Sequence, residues 1–164
     1  MRKLLRGDPL GWSLSEATAL TIGVFDGVHL GHQAVMRRVV ERAKSGDLTP
    51  AALTFDPHPL EFIAPERAPR MLTTVEQRAE RLAECGIELV GVLPFLEIRD
   101  LPPHSFAVEI LSERMDARYV AIGADFRFGR DRSGNPDLLG QLGKKHGFEV
   151  DVVEMLGERD GEGS

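Results

Sequence analysis

Short apolar runs alternate with amphipathic stretches along the whole chain. The apolar runs cover residues 19–25, 51–55, 87–93, 119–122 and 148–153. Each run is four to seven residues long and rich in Val, Ile, Leu or Phe, which is typical of strands buried on both faces. Strands that alternate with helices form parallel sheets. The pattern therefore predicts an α/β fold, a Rossmann-like parallel sheet of about five strands with helices on both faces.

Four helices are predicted between these runs, over residues 31–44, 78–85, 106–115 and 136–146. Gly46 follows the first as a candidate for the left-handed residue that ends a helix. Thr74 and Gln77 have the spacing of a capping box, which predicts where the second helix begins. Gly140 and Gly143 interrupt the fourth helix and weaken its propensity.

Composition limits the classes of protein that fit. A chain of 164 residues is long enough for one domain, here residues 1–164, and 42% hydrophobic with 28% charged residues is typical of a globular protein. The net charge of −6 argues against a nucleic-acid partner. No apolar run has the roughly 20 residues of a membrane span, and the first residues do not resemble a signal peptide. The single cysteine, Cys85, fits a reducing compartment and a structural role. We therefore expect a cytoplasmic location and no membrane partner.

Ligands of parallel α/β sheets bind beyond the carboxyl ends of the strands, close to the point where the strand order reverses. The segments that follow the predicted strands are therefore the candidates for a site. They cover residues 26–32, 56–59, 94–96 and 123–134.

The first of these segments has the chemistry of a phosphate site. Gly27 permits a left-handed turn after the strand, and Gly31 lets a ligand approach the start of the following helix, where free N–H groups attract anions. His29 and His32 are three residues apart, so both can lie on one face of the first helical turn. Two imidazoles there can donate hydrogen bonds to phosphate oxygens that gain charge during a reaction, which makes them the candidate catalytic residues. The alternatives are two incidental histidines and a zinc site, and the zinc site lacks a clear third ligand; no metal ligand is predicted.

Four segments together resemble a known family. The run from Gly23 to His32, Gly-x-Phe-Asp-Gly-x-His-x-Gly-His, resembles the signature of the HxGH nucleotidyltransferases. The others are residues 54–59 (Thr-Phe-Asp-Pro-His-Pro), residues 65–78 with Leu-Thr-Thr and Gln-Arg near their end, and residues 123–134 (Gly-Ala-Asp-Phe-Arg-Phe-Gly, then Arg-x-Gly). In this order they are similar to the FAD synthetase (FMN adenylyltransferase) module of prokaryotic bifunctional riboflavin kinase/FAD synthetases.

The resemblance implies an activity and a set of contacts. The expected reaction transfers AMP from ATP to FMN and gives FAD and pyrophosphate, with ATP entering as its Mg²⁺ complex. Contacts to ATP are implied for Gly23, Phe25, Asp26, Gly27, His29, Gly31, His32, Gly123, Asp125 and Arg127. Contacts to FMN are implied for Asp56, Pro57, His58 and Pro59. Arg130 and Arg132, in a Gly-rich loop, are candidates to meet pyrophosphate, whereas Phe126 and Phe128 are interpreted as core residues.

The sequence departs from the family pattern at its end. A Ser/Thr-rich segment that closes with an arginine is expected soon after the fifth strand, and the chain reaches Ser164 about where that segment would begin. A riboflavin kinase module is not expected in this chain. Two alternatives to the adenylyltransferase therefore stay open: a catalytically impaired fragment that binds ATP or FMN, and a nucleotidyltransferase for another phosphorylated acceptor. Self-association through an uncovered flank of the sheet is a further expectation.

Overall fold

The structure is a computed structural model that describes residues 3–25, 30–56 and 74–154. Its strands are β1 (Lys3–Leu5), β2 (Thr18–Ile22), β3 (Thr49–Asp56), β4 (Leu89–Pro94), β5 (Ala117–Gly123) and β6 (Glu149–Val153). They form one sheet in the order β1-β4-β3-β2-β5-β6, and every strand pair is parallel. The predicted parallel α/β fold is confirmed, and the described residues form six strands where about five were expected.

The sixth strand lies at the amino-terminal edge of the sheet. Lys3, Leu4 and Leu5 pair with Leu89, Val90 and Gly91 of β4. Three residues flanked by charged neighbours give no periodicity of their own, so the strand forms because β4 offers an open edge. Trp12 is buried against the same region, and its indole Nε1 donates to the Arg6 carbonyl oxygen at 3.0 Å. Trp12 is therefore a packing residue at this edge of the sheet.

Helices cover both faces of the sheet. They are α1 (Leu30–Gly46), α2 (Val75–Glu84), the short α3 (Phe95–Ile98), α4 (Pro103–Ser105), which continues into a π-helix (Phe106–Arg114), and α5 (Pro136–His146). α1 and α2 pack on one face with Ala19, Ala52 and Val90. The π-helix and α5 pack on the other face with Leu20, Leu53 and Val120. Successive strand residues thus point to opposite faces, as the pleat requires.

Two helix predictions need correction. α1 runs through Gly46, and the left-handed residue that follows it is Asp47, with φ of +57°. Asp tolerates this region because its short polar side chain can form local hydrogen bonds. The helix after Pro103 forms where it was predicted, but it winds as a π-helix, and its last bond runs from Met115 N to the Ile110 carbonyl oxygen, five residues back.

The capping box and α5 are confirmed. Thr74 Oγ1 accepts from Gln77 N at 3.0 Å, and Gln77 Oε1 accepts from Thr74 N at 2.9 Å. α5 is continuous across both of its glycines. Gly143 is required there because a Cβ would collide with the Phe148 carbonyl oxygen.

Candidate active site

The strand order reverses between β2 and β5. β2 pairs with β3 on one side and with β5 on the other, although about 95 residues separate β2 from β5 along the chain. The chain segments that leave these central strands therefore meet at one end of the sheet. This is the position where doubly wound sheets bind their ligands.

A cleft of about 520 Å³ opens at this end of the sheet. Its walls come from the exits of three neighbouring strands, at Val24 after β2, Phe55 in β3 and Phe95 after β4. The loop after β5 supplies Phe126 to Gly129 together with Asp131 and Arg132. A volume of this size is within the usual range for a small-molecule site.

Phenylalanine rings form the apolar wall of the cleft. Among the residues that the structure describes, the rings belong to Phe55, Phe95, Phe106, Phe126 and Phe128. Phe55 and Phe95 meet edge to face at 6.0 Å, whereas Phe126 and Phe128 stack at 5.6 Å with an angle of 17° between their planes. Phe128 is buried, which confirms its core role, and Phe126 is only half-buried. Such a wall suits a flat aromatic ligand, because offset stacking adds to the burial of apolar surface.

Arginines line the mouth of the same cleft. Arg99, Arg127 and Arg132 belong to its lining, together with the carboxylates of Asp100 and Asp131. The cleft therefore joins an apolar wall to cationic groups that can attract a phosphate, even though the protein as a whole is acidic.

The loop that carries Arg132 has an unusual backbone. Asp131 and Arg132 both have left-handed conformations, with φ of +58° and +55°. Arg130 lies between this loop and α3, because its Nε donates to the Asp100 carbonyl oxygen at 3.0 Å and its backbone N to the Leu101 carbonyl oxygen at 2.7 Å. Of the two arginines proposed to meet pyrophosphate, Arg132 lines the cleft and Arg130 is engaged in this anchoring contact.

Three of the residues predicted to contact ATP lie together at the exit of β2. Gly23 lies against the ring of Phe25, and a Cβ on Gly23 would lie 2.9 Å from Phe25 Cζ. The same ring meets the imidazole of His32 edge-on at 5.3 Å. Gly23, Phe25 and His32 therefore form one contact group at the start of α1. Gly31 lies in the first turn of that helix.

The remaining predicted residues are more dispersed. Asp125 and Arg127 are exposed in the turn after β5, where Arg127 Nη1 donates to the Phe126 carbonyl oxygen at 2.7 Å. Gly123 ends β5, and neither it nor Asp125 lines the cleft. Asp56 Oδ2 lies 3.7 Å from Nη2 of Arg6, whose other terminal nitrogen donates to Glu76. Asp26, Gly27, His29, Pro57, His58 and Pro59 lie outside the described residues.

Sequence reasoning missed several residues of the cleft. Phe55, Phe95, Arg99 and Phe106 line it, but only Phe95 falls within a segment that the sequence marked as following a strand. It also missed Arg78, a buried arginine beneath the strand exits. The signal for Arg78 was present, because positions 75, 78, 79 and 82 have the spacing of one helical face and the other three are apolar.

Other candidate chemistry lies away from the cleft. Cys85 caps the end of α2, and burial raises the pKa of its thiol, which disfavours the reactive thiolate. Within residues 3–25, 30–56 and 74–154, no three or more His, Cys, Asp and Glu residues group as a metal site would require. In the same part of the chain, no helix is both long and apolar enough to cross a membrane.

The fold and the cleft define a class: a doubly wound α/β protein with a mixed aromatic and cationic ligand site at its strand exits. A family model described as FAD synthetase matches residues 13–164, and the chain belongs to that family. The chain is 36% identical over 158 residues to the bifunctional riboflavin kinase/FMN adenylyltransferase of Escherichia coli K12, covering 95% of this chain and 50% of the relative. It is 39% identical over 142 residues to the protein of that name from Pseudomonas fluorescens, covering 86% of this chain and 45% of the relative.

The chain thus spans about half the length of the curated relatives it matches. Among solved structures, it resembles the crystal structure of a protein titled macrolide-efflux protein from Streptococcus pneumoniae, with a TM-score of 0.78 and 21% identity. That match covers 94% of this chain and 52% of the other. At this level of identity the likeness supports the fold alone.

Proposed function

We propose that this chain is an FMN adenylyltransferase, which transfers the AMP group of ATP to FMN and releases pyrophosphate. The observation that carries the proposal is the cleft at the strand exits, where five phenylalanine rings face a space of about 520 Å³ with arginines at its mouth. Membership of the FAD synthetase family and the activity in the relatives' names support the same conclusion.

The chemistry of the reaction fits this residue inventory. An oxygen of the FMN phosphate attacks the α-phosphorus of ATP, a new phosphoanhydride bond forms, and the bond to the β-phosphate oxygen breaks. The attacking oxygen is already anionic at neutral pH, so no strong base is required. The barrier comes from bringing two anions together, and positioning with electrostatic stabilisation lowers it.

The parts of the site have distinct roles in this proposal. The phenylalanine wall binds the flavin ring, and the arginines at the mouth attract its phosphate. His32 and the start of α1 bind the ATP phosphates, together with His29. The carboxylate of Asp125 accepts a hydrogen bond from the adenosine part of ATP. The segment that begins at Asp56 completes the FMN site.

Mg²⁺ enters this proposal as part of the substrate. The described residues offer no cluster that would bind a metal by itself, and Mg²⁺ is commonly bound by substrate phosphates and water. Both substrates are small anionic metabolites, and we place the reaction in the cytoplasm.

The direct test is to incubate the purified chain with FMN and Mg-ATP and to separate FMN from FAD by chromatography. We expect FAD from the wild type and a loss of kcat of about 100-fold in His32→Ala, the effect typical of removing a donor to developing charge. His104→Ala is the matched control, because His104 is an exposed histidine outside the cleft.

The outcomes separate the alternatives. Binding of FMN or ATP without formation of FAD would favour the impaired binding fragment, and a preference for CTP over ATP would favour another nucleotidyltransferase. Wild-type turnover in His32→Ala would contradict the role given to this histidine.

A further inference from the structure

The turn that leaves β2 adopts a conformation that its residues disfavour. Phe25 has φ of +57°, in the left-handed region that a bulky side chain rarely occupies, and it is only 2% exposed. Backbone strain of this kind is unfavourable and persists only where surrounding contacts enforce it. The ring of Phe25 contacts both Gly23 and His32. Whatever enforces this turn therefore also determines where His32 lies.

A buried arginine on α2 holds the turn that leaves β2 in this conformation. Arg78 is 4% exposed, and its Nη1 donates to the Val24 carbonyl oxygen at 3.2 Å and to Thr54 Oγ1 at 2.9 Å. Thr54 is fully buried, and its hydroxyl donates to the same Val24 carbonyl oxygen at 2.6 Å. We call Arg78, Thr54 and the Val24 carbonyl the strand-exit network. It fixes the peptide group that directly precedes Phe25.

The network also reaches the next strand. Arg78 Nη1 donates to the Phe55 carbonyl oxygen at 2.9 Å, one residue before Asp56. One guanidinium thus joins the exit of β2, which leads to the ATP segment, to the exit of β3, which leads to the FMN segment. These two segments need a fixed relative position if phosphate oxygen and phosphorus are to meet.

The geometry of α2 makes Arg78 a rigid part of this arrangement. The capping box at Thr74 and Gln77 fixes the first turn of the helix, immediately before Arg78. Val75, Ala79 and Leu82 on the same face are buried, so they fix the rotation of the helix about its axis. An exposed arginine would lose its rotamer freedom to form these bonds, whereas this one is already ordered by its packing.

We infer that Arg78 is a positioning residue for adenylyl transfer, which acts through Val24 and Phe25 on His32. The inference rests on the proposed function, since it assigns Arg78 to the same site. Arg78 need not touch either substrate. Its contribution is the orientation of the phosphate-binding turn.

A double-mutant cycle tests this dependence. Arg78→Met is expected to lower kcat by about 10- to 100-fold, which is the order of effect of a misplacement near 1 Å. In the His32→Ala background the same substitution should change kcat by less than about threefold, because residues that act as a unit are not additive. Each rate is divided by the concentration of folded protein, measured by circular dichroism.

Thr54→Val provides a second route, because it removes the hydroxyl that donates to Val24 while keeping the shape of the side chain. It is expected to lower kcat in the same direction with the KM values less affected. Arg118→Met is the matched control, since Arg118 is an exposed arginine whose bond is to Asp116. Equal losses of kcat from Arg78→Met in both backgrounds, or a loss explained by unfolded protein, would overturn the inference.

A readout independent of turnover separates this inference from the proposed function. The imidazole protons of His32 lie near the ring of Phe25, whose ring current shifts their NMR signals. We expect those signals to move in Thr54→Val and Arg78→Met and to stay in Arg118→Met. Absence of FAD formation by the wild type would contradict the proposed function. Unchanged His32 signals in both network variants would overturn the positioning role, whether or not FAD forms.

Discussion

Tyr119, the only tyrosine of the chain, lies in an unusual electrostatic setting beneath α1. Its side chain is 2% exposed, and its hydroxyl donates to Asp151 Oδ2 at 2.6 Å. Arg38 Nη1 donates to the same oxygen at 2.7 Å, and the guanidinium of Arg42 lies 4.9 Å from the centre of the Tyr119 ring. Burial, followed by the hydrogen bond to Asp151 and its negative charge, raises the pKa of Tyr119 above its ordinary value.

This setting predicts a loss of stability at alkaline pH. The folded protein binds the Tyr119 proton more tightly than the unfolded chain, in which tyrosine has a pKa of about 10. The stabilisation is therefore complete below pH of about 10 and is lost as the pH rises further. Tyr119→Phe removes the ionisable hydroxyl. Above a pH of about 10, the free energy of unfolding of the variant should therefore fall less steeply with pH than that of the wild type, by up to about 1.4 kcal/mol per pH unit.

Urea unfolding of both proteins across this pH range measures the difference, and tyrosinate absorbance of the wild type reports the ionisation of its single tyrosine directly. Identical pH slopes for wild type and variant would contradict the prediction. The ring that packs under Arg42 is retained in phenylalanine, so the comparison isolates the hydroxyl.

At the scale of elements, α5 shows how local sequence signals can define the end of the cleft loop. Asn135 is the residue before the helix, and its Oδ1 accepts from Leu138 N at 2.8 Å. Pro136 begins the helix, and Gly147 ends it with φ of +95°. The cleft loop from Phe126 to Arg132 ends two residues short of this cap, so a well-defined helix start limits the freedom of that loop.

Removal of the cap should cost stability. Asn135→Ala is expected to lower the free energy of unfolding by about 1 kcal/mol, because Leu138 N loses its acceptor. Asn135→Asp retains an acceptor and should recover most of the loss. Gln141→Ala, at an exposed position inside the same helix, is the control and should change stability little. Thermal unfolding of the four proteins gives the comparison, and equal stability of Asn135→Ala and wild type would show that the cap contributes nothing.

At the scale of the whole molecule, the cleft connects distant parts of the chain. Phe55, Phe95, Phe106 and Phe128 come from four separate segments, so a ligand between them contacts residues that only the folded chain brings together. Binding to the folded state alone raises stability by mass action, by about 2.7 kcal/mol at a ligand concentration of 100 Kd.

We therefore expect FMN to raise the melting temperature of the wild type. Phe95→Ala removes one ring of the wall, and at the same FMN concentration it should show a smaller shift relative to its own ligand-free form. Leu96→Ala is the matched control, because Leu96 is the next residue along the chain and its side chain is exposed and outside the cleft. Equal FMN shifts in all three proteins would place flavin binding elsewhere.

The sequence by itself determined the order and type of most elements. Apolar runs, the capping box at Thr74 and the helix over residues 136–146 are local signals, because each depends on neighbours within a few residues. The alternation of strands and helices also predicted which end of the sheet would carry the site, since that follows from parallel topology. Family resemblance came from the same local segments, and self-association remains a prediction.

Only the tertiary structure decided which distant residues meet. β1 is a strand because β4 offers it an edge, and no three-residue segment shows that alone. Phe55, Phe95 and Phe106 look like ordinary core residues in the sequence, and packing makes them the wall of a cleft. Arg78 has the spacing of a buried helical face, but its acceptors at Val24, Thr54 and Phe55 lie 23 to 54 residues away. Hydrogen-bond partners at such separations depend on the relative placement of whole elements, which local periodicity does not contain.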